Sequence, residues 1–175
     1  MERTERGNWV NGQRRTGPFG ARNSAVVERD WFAQACLDED AGRLHQAMRA
    51  YRRALDVDGA SAVCCFNLGN VLYGLRRKIE AAECFRQAVT LDAHWHEAWN
   101  NLGVVRCDLS QCEDAAAAFQ RAMALAPGWT DPLFNLADCC DERGLTPQAQ
   151  RLWRDYAALD TDSEWGQYAL ARLEA

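Results

Sequence analysis

Three sets of residues in this chain carry reactive or polar groups at telling spacings. The first is a series of carboxamides, Asn67, Asn101 and Asn135, set 34 residues apart and each followed by Leu and a small residue. A carboxamide offers donor and acceptor together, so a column of them on a rigid support pairs with the main chain of an extended peptide whatever its side chains. The second set is eight cysteines. Cys64-Cys65 and Cys139-Cys140 are adjacent, Cys107 and Cys112 are five apart, Cys36 and Cys84 stand alone, and no C-x-x-C occurs. This spacing predicts small buried apolar residues rather than a zinc site. Without an export signal the thiols are expected to stay reduced, with no disulfide needed for folding. The third set is His94-Trp95-His96, which has no Cys or carboxylate pattern to finish a tetrahedron, so no metal is expected. No G-x-S-x-G, G-x-x-x-x-G-K, H-E-x-x-H or strand-linked glycine fingerprint is present, and the reading is of a non-enzyme without cofactors.

The amides need elements to hold them, and the sequence indicates which. Ala47-x3-Tyr51-x2-Ala54, Ala81-x3-Phe85-x2-Ala88, Ala115-x3-Phe119-x2-Ala122 and Ala149-x3-Trp153-x2-Tyr156 recur every 34 residues without an insertion. They define four units, 28–61, 62–95, 96–129 and 130–163. A fixed period of this length marks stacked supersecondary units. Each unit divides into two helical patterns, with breaks at Gly42, around Arg76 and Arg77, at Ser110 and at Gly144, which predicts helix-turn-helix hairpins. Ala35, Gly69, Gly103 and Ala137 are expected to meet Ala47, Ala81, Ala115 and Ala149 where the helices cross, because bulk there forces the axes apart. Tyr51, Phe85, Phe119 and Trp153 are expected to fill the space toward the next hairpin. Helix starts are expected at Ser61, at Thr130 with Pro132 behind it, and in a Thr161-x-x-Glu164 capping box.

These residues resemble the tetratricopeptide repeat family, whose unit has a large residue near its start, then Leu-Gly, Ala, an aromatic, Ala and often Pro at set places. Trp31, Trp99, Leu68, Leu102 and Pro127 also fall on those places, and the resemblance covers about 136 of the 175 residues. Cys65, Asp38, Arg106 and Tyr156 depart from the pattern. The resemblance implies an all-α, right-handed superhelical solenoid over 24–175, in which the first helices of the hairpins line a concave groove. It places Asn67, Asn101 and Asn135 in that groove with their amides reaching solvent, and Ala33 breaks the series. It sets Phe32, Phe66, Asn100 and Phe134 beside them, either as anchors in the groove or as side chains partly buried between adjacent first helices, and Asn70, Tyr73, Val104 and Asp138 one turn further on. The implied function is a non-catalytic interaction module or scaffold that takes an extended peptide of a partner protein.

A stack of hairpins leaves its last apolar face bare. Residues 162–175, with Trp165, Tyr168, Leu170, Ala171 and Leu173 among polar residues, read as an amphipathic capping helix. Residues 1–23, rich in Gly and polar residues, read as disordered, with Asn23-Ser24 capping the first helix.

Charge narrows the partner. The chain has 20 basic and 25 acidic residues for a net charge of -5. Residues 1–27 carry five Arg against Glu2 and Glu5, so the remainder is clearly acidic and nucleic acid is not an expected partner. Glu39, Asp40, Glu97, Asp108, Asp131, Asp138, Asp141 and Glu142 gather on the groove side, where basic residues are nearly absent beyond Arg29 and Arg106. A neutral or basic peptide is therefore the expected partner rather than an acidic tail. No run of 18 apolar residues exists, so no membrane partner is expected and the reading is cytoplasmic. Two alternatives remain: a regulatory or assembly subunit that docks through a convex face carrying Arg52, Arg53, Arg76, Arg77 and Arg86, or an accessory region of an enzyme.

Overall fold

A computed structural model describes residues 30–174, and among these it shows helices and turns without a strand. They form two compact units that divide after Ala93. The expected disorder of 1–23 and the cap at Asn23-Ser24 lie outside the described residues.

The first unit holds α1 (Trp31–Asp40), α2 (Leu44–Asp58), α3 (Ala62–Gly74) and α4 (Lys78–Leu91). The second holds α5 (His96–Asp108), α6 (Cys112–Leu125), α7 (Asp131–Glu142), α8 (Thr146–Leu159) and α9 (Glu164–Leu173). The odd helices α1 to α7 and the even helices after them are the two arms of the expected hairpins. Each hairpin turns on one residue with positive φ: Gly42 at 70°, Arg76 at 62°, Ser110 at 67° and Gly144 at 69°. The next amide then reaches back to a helix carbonyl, as in Arg43 N to Asp38 O at 2.8 Å and Gln111 N to Arg106 O at 2.9 Å. This is the Schellman ending of a helix, which favours Gly at the left-handed residue, so Arg76 and Ser110 hold that place at some strain.

Inside each hairpin the repeated Ala is fully buried, and so is the aromatic one turn later: Ala47 with Tyr51, Ala81 with Phe85, Ala115 with Phe119, Ala149 with Trp153. In the second and third hairpins the small residue on the opposite arm makes room for the aromatic. A methyl carbon placed on Gly69 would lie 2.7 Å from the Phe85 ring, and one on Gly103 would lie 2.6 Å from that of Phe119. Phe85 and Phe119 thus lie across the glycine of their own hairpins.

The C-terminal helix packs against the α7–α8 hairpin, and its start differs from the expected one. Ser163, not a Thr161 capping box, accepts from the amides of Trp165 and Gly166, at 3.1 and 3.2 Å. Asp160 in turn receives the Ser163 amide and the Tyr156 hydroxyl. A β-carbon on Gly166 would lie 1.9 Å from the Asp160 carbonyl oxygen, so only glycine admits this approach. Thr130 precedes α7 without a side-chain cap, whereas Ser61 and the unanticipated Asp30 do cap, accepting from Cys64 N and Ala33 N.

The cysteine reading also needs correction. Cys107 on α5 and Cys139 on α7 are joined by a disulfide, their Cα atoms 6.1 Å apart, while Cys36, Cys64, Cys65, Cys84, Cys112 and Cys140 are free thiols. The two cysteines are 32 residues apart, two short of the repeat, which sets them on facing sides of neighbouring first helices. Burial pushes the Cys64 and Cys84 thiols up to about 12, so these do behave as small apolar residues.

Candidate functional site

In the second unit, α5 and α7 lie side by side and carry the central amides. Asn135 Nδ2 donates to Asn100 Oδ1 at 3.0 Å, and Asn100 Nδ2 stands 3.5 Å from Asn101 Oδ1. The carboxamides therefore form a chain across the two helices instead of standing separately. The disulfide ties the same pair of helices, and Arg143 Nη2 donates to the Cys107 carbonyl at 3.0 Å. Three fastenings fix the register of this wall.

Burial differs from the sequence expectation of solvent-reaching amides. Asn101 is 3 % exposed and Asn67, in the first unit, 4 %, whereas Asn135 is half-buried. Asn67 Nδ2 is buried and has no hydrogen-bond partner, a donor kept from water at a cost. Of these residues, Phe32, Asn100 and Phe134 are buried. Phe32 sits edge-on to Tyr51 with ring centroids 5.7 Å apart, and Phe66 to Phe85 at 5.7 Å. Phe134 meets Trp153 at 5.0 Å, Tyr156 at 5.1 Å and Trp165 at 5.6 Å, which makes it the hub of the C-terminal cap. The ring column thus packs on the aromatics that recur every 34 residues, and in the third hairpin Asn100 takes the ring's place and turns its amide to Asn101 and Asn135. Phe66, Asn70, Val104 and Asp138 are half-buried.

The acidic groups are partly spent on structure. Glu39 accepts from the Tyr51 hydroxyl at 2.7 Å, and Asp141 accepts from Trp153 Nε1 and Arg172 Nε at 3.1 and 2.7 Å. Burial holds the Asp131 carboxyl above the usual range, weakening its charge. Arg106, the described basic group on this side, is engaged by Gln111 and Asp114. Part of the Arg-rich face of the first unit is likewise paired: Arg52 and Arg77 share Glu80, each at 2.6 Å, and Arg86 pairs with Glu83. His96 packs edge-on to Trp129 with centroids 5.2 Å apart, and Trp95 is buried, so the His-Trp-His run packs at the turns. Among the described residues no group of three or more His, Cys, Asp or Glu is arranged to hold a metal, and no helix is long and apolar enough to cross a membrane.

The sequence did not reveal the α5 to α7 disulfide or the Asn100 link. A spacing of 32 in a 34-residue repeat is the one signal that two cysteines face each other on neighbouring first helices.

Residues 62–95 match the tetratricopeptide repeat family. Among curated proteins no relative matches the chain. Similar solved structures include the MamA protein, 20% identical over 82% of this chain and 86% of that one, with a TM-score of 0.69. YrrB, described as a tetratricopeptide repeat protein with an unusual peptide-binding site, is 23% identical over 82% of this chain and 76% of its own, with a TM-score of 0.67. The second such domain of human RPAP3, solved with an HSP70 peptide, is 23% identical over 63% of this chain and 92% of its own, with a TM-score of 0.60. The repeated hairpins, the ring-over-glycine packing and these likenesses agree, and the chain has the tetratricopeptide repeat fold, with residues 62–95 matching the family itself.

Proposed function

We propose that this chain is a non-catalytic interaction module that binds an extended segment of a partner protein along the first helices of its hairpins. The observation that carries the reading is the amide chain of Asn135, Asn100 and Asn101, fixed across α5 and α7. Asn135 Nδ2 spends one N–H on Asn100 and keeps a second, so a peptide carbonyl can be held without breaking the chain. Val104 and Asp138, half-buried one turn further along the same helices, supply apolar and acidic contacts for side chains of the segment. Asn67, Phe66 and Asn70 give the first unit the corresponding positions.

The peptide is read as neutral or basic. The RPAP3 domain was solved with the acidic-ended peptide SGPTIEEVD, whereas here Arg106 is already engaged and Asp138 lies nearby in sequence register. Like charges brought together at an interface cost affinity, so an acidic tail is disfavoured. Docking through the Arg-rich face is also disfavoured, because three of its five arginines are paired with Glu80 and Glu83. Titrating an identified partner segment into the wild type and the Asn101→Ala, Asn135→Ala double variant tests the reading. About ten-fold weaker binding in the variant, with an unchanged helical spectrum, is expected; equal affinity would remove the amides from the binding surface.

A further inference from the structure

The N-terminal face of the first hairpin has a composition unlike its counterpart in the second. On α3, Cys65, Leu68 and Leu72 are all buried. The residues in register with them on α1 are Trp31, Gln34 and Asp38, and they open with Gln46, Arg49 and Arg53 of α2 on a cavity of about 470 Å³. Asp38 is not available to these arginines, since its carboxylate is held by Arg43 at 2.8 Å. Arg49 and Arg53 are exposed, stand one helical turn apart and have no ion pair among the described residues. Like charges one turn apart repel, and an anion laid between two guanidinium forks relieves both while accepting paired hydrogen bonds.

We propose that this face is a second docking surface, for an acidic protein segment that places a carboxylate on Arg49 and Arg53 and an apolar side chain against Trp31. Charge selects this occupant. The chain's own first 27 residues carry five Arg against two Glu and match the arginine pair poorly. Gln34 and Gln46 line the rim and can pair with the main chain of the segment. The α5 and α7 site and this face then call for opposite charge, so one protein joins two different partner segments, as a scaffold does.

The test is selection of a random displayed peptide library on the full chain, with counter-selection on an Arg49→Glu, Arg53→Glu variant. Both arginines are exposed, so the variant is expected to keep the wild-type helical spectrum and melt. The recovered sequences should be rich in Asp and Glu beside Leu, Phe or Trp. A synthetic consensus peptide should bind the wild type at least ten-fold more tightly than the variant, lose affinity as salt rises, and bind the Asn101→Ala, Asn135→Ala variant unchanged. Recovery of sequences without acidic enrichment, or equal binding by the Arg variant, overturns the proposal. So does concentration-dependent dimerisation that the Arg variant abolishes, which would make a second copy the occupant.

Discussion

Asn135 on α7 donates to Asn100 on α5 across 3.0 Å, and this bond occupies a place where the other hairpins put an aromatic ring. Phe32, Phe66 and Phe134 each lean on the ring of the second arm, while Asn100 turns its amide sideways to the neighbouring helix. One substitution in an otherwise regular series thus converts packing into a polar tie. Asn100→Phe should restore a ring against Phe119 but leave Asn135 without its acceptor. The expected result is a protein that keeps its helical spectrum yet loses about 0.5 to 1.5 kcal/mol, the net worth of a typical hydrogen bond. Chemical denaturation measures this; a variant more stable than wild type would show that the amide chain contributes nothing.

The disulfide gives a second expectation. Protein denatured with its thiols blocked should show six alkylated cysteines and one bridged peptide pair joining Cys107 to Cys139. Changing both to Ser should lower stability by about 3 kcal/mol, the order expected for a loop of this length. Eight alkylated cysteines in protein never exposed to reductant would contradict the bridge.

Glycine substitutions separate close packing from open turns. Gly69→Ala and Gly103→Ala press a methyl group onto Phe85 and Phe119 and should each cost about 1 to 3 kcal/mol, the usual range for overpacking. Gly128→Ala, with nothing within 4 Å, should change little. Gly166→Ala should act more locally: its methyl meets the Asp160 carbonyl, which cannot rotate aside, so α9 should detach and Trp165 fluorescence should shift red before the rest of the chain melts.

The start of α9 also predicts a pH dependence. The Ser163 hydroxyl, with help from the Ser163 amide and the Tyr156 hydroxyl, holds the Asp160 carboxyl below its ordinary range. A carboxyl lowered on folding adds stability that is fully present above its unfolded pKa and is lost as pH falls through its folded value. The cap should therefore hold at neutral pH and loosen below about pH 4. Asp160→Asn should remove that acid step from the Trp165 signal; the same step in both proteins would assign it elsewhere.

Much of the fold was legible because the repeat constrains it. The 34-residue recurrence fixed the hairpins, and the breaks at Gly42, Arg76, Ser110 and Gly144 are the residues that turn with positive φ. What period alone could not give was the neighbour of each side chain. The Gly69 register does not show that a methyl group there would press on the Phe85 ring, which only the backbone separation reveals. The site was read less well for the same reason. Position in the repeat placed Phe134 and Asn101 on the first helices, but their burial depends on what α9 and the adjacent helix bring against them. Ser163 escaped notice because the Thr161-x-x-Glu164 pattern offered a competing cap two residues earlier, and the Asp160 contacts settle the choice.

The most direct test of the central claim is affinity purification with quantitative mass spectrometry, using three proteins side by side. These are the wild type, the Asn101→Ala, Asn135→Ala variant and an Arg52→Glu, Arg86→Glu variant, each checked for an unchanged helical spectrum. The account predicts that at least one partner enriched by the wild type falls about ten-fold in the amide variant and stays at the wild-type level in the arginine variant. Partners retained in full by the amide variant and lost from the arginine variant would contradict it, and would place the binding surface on the Arg-rich face.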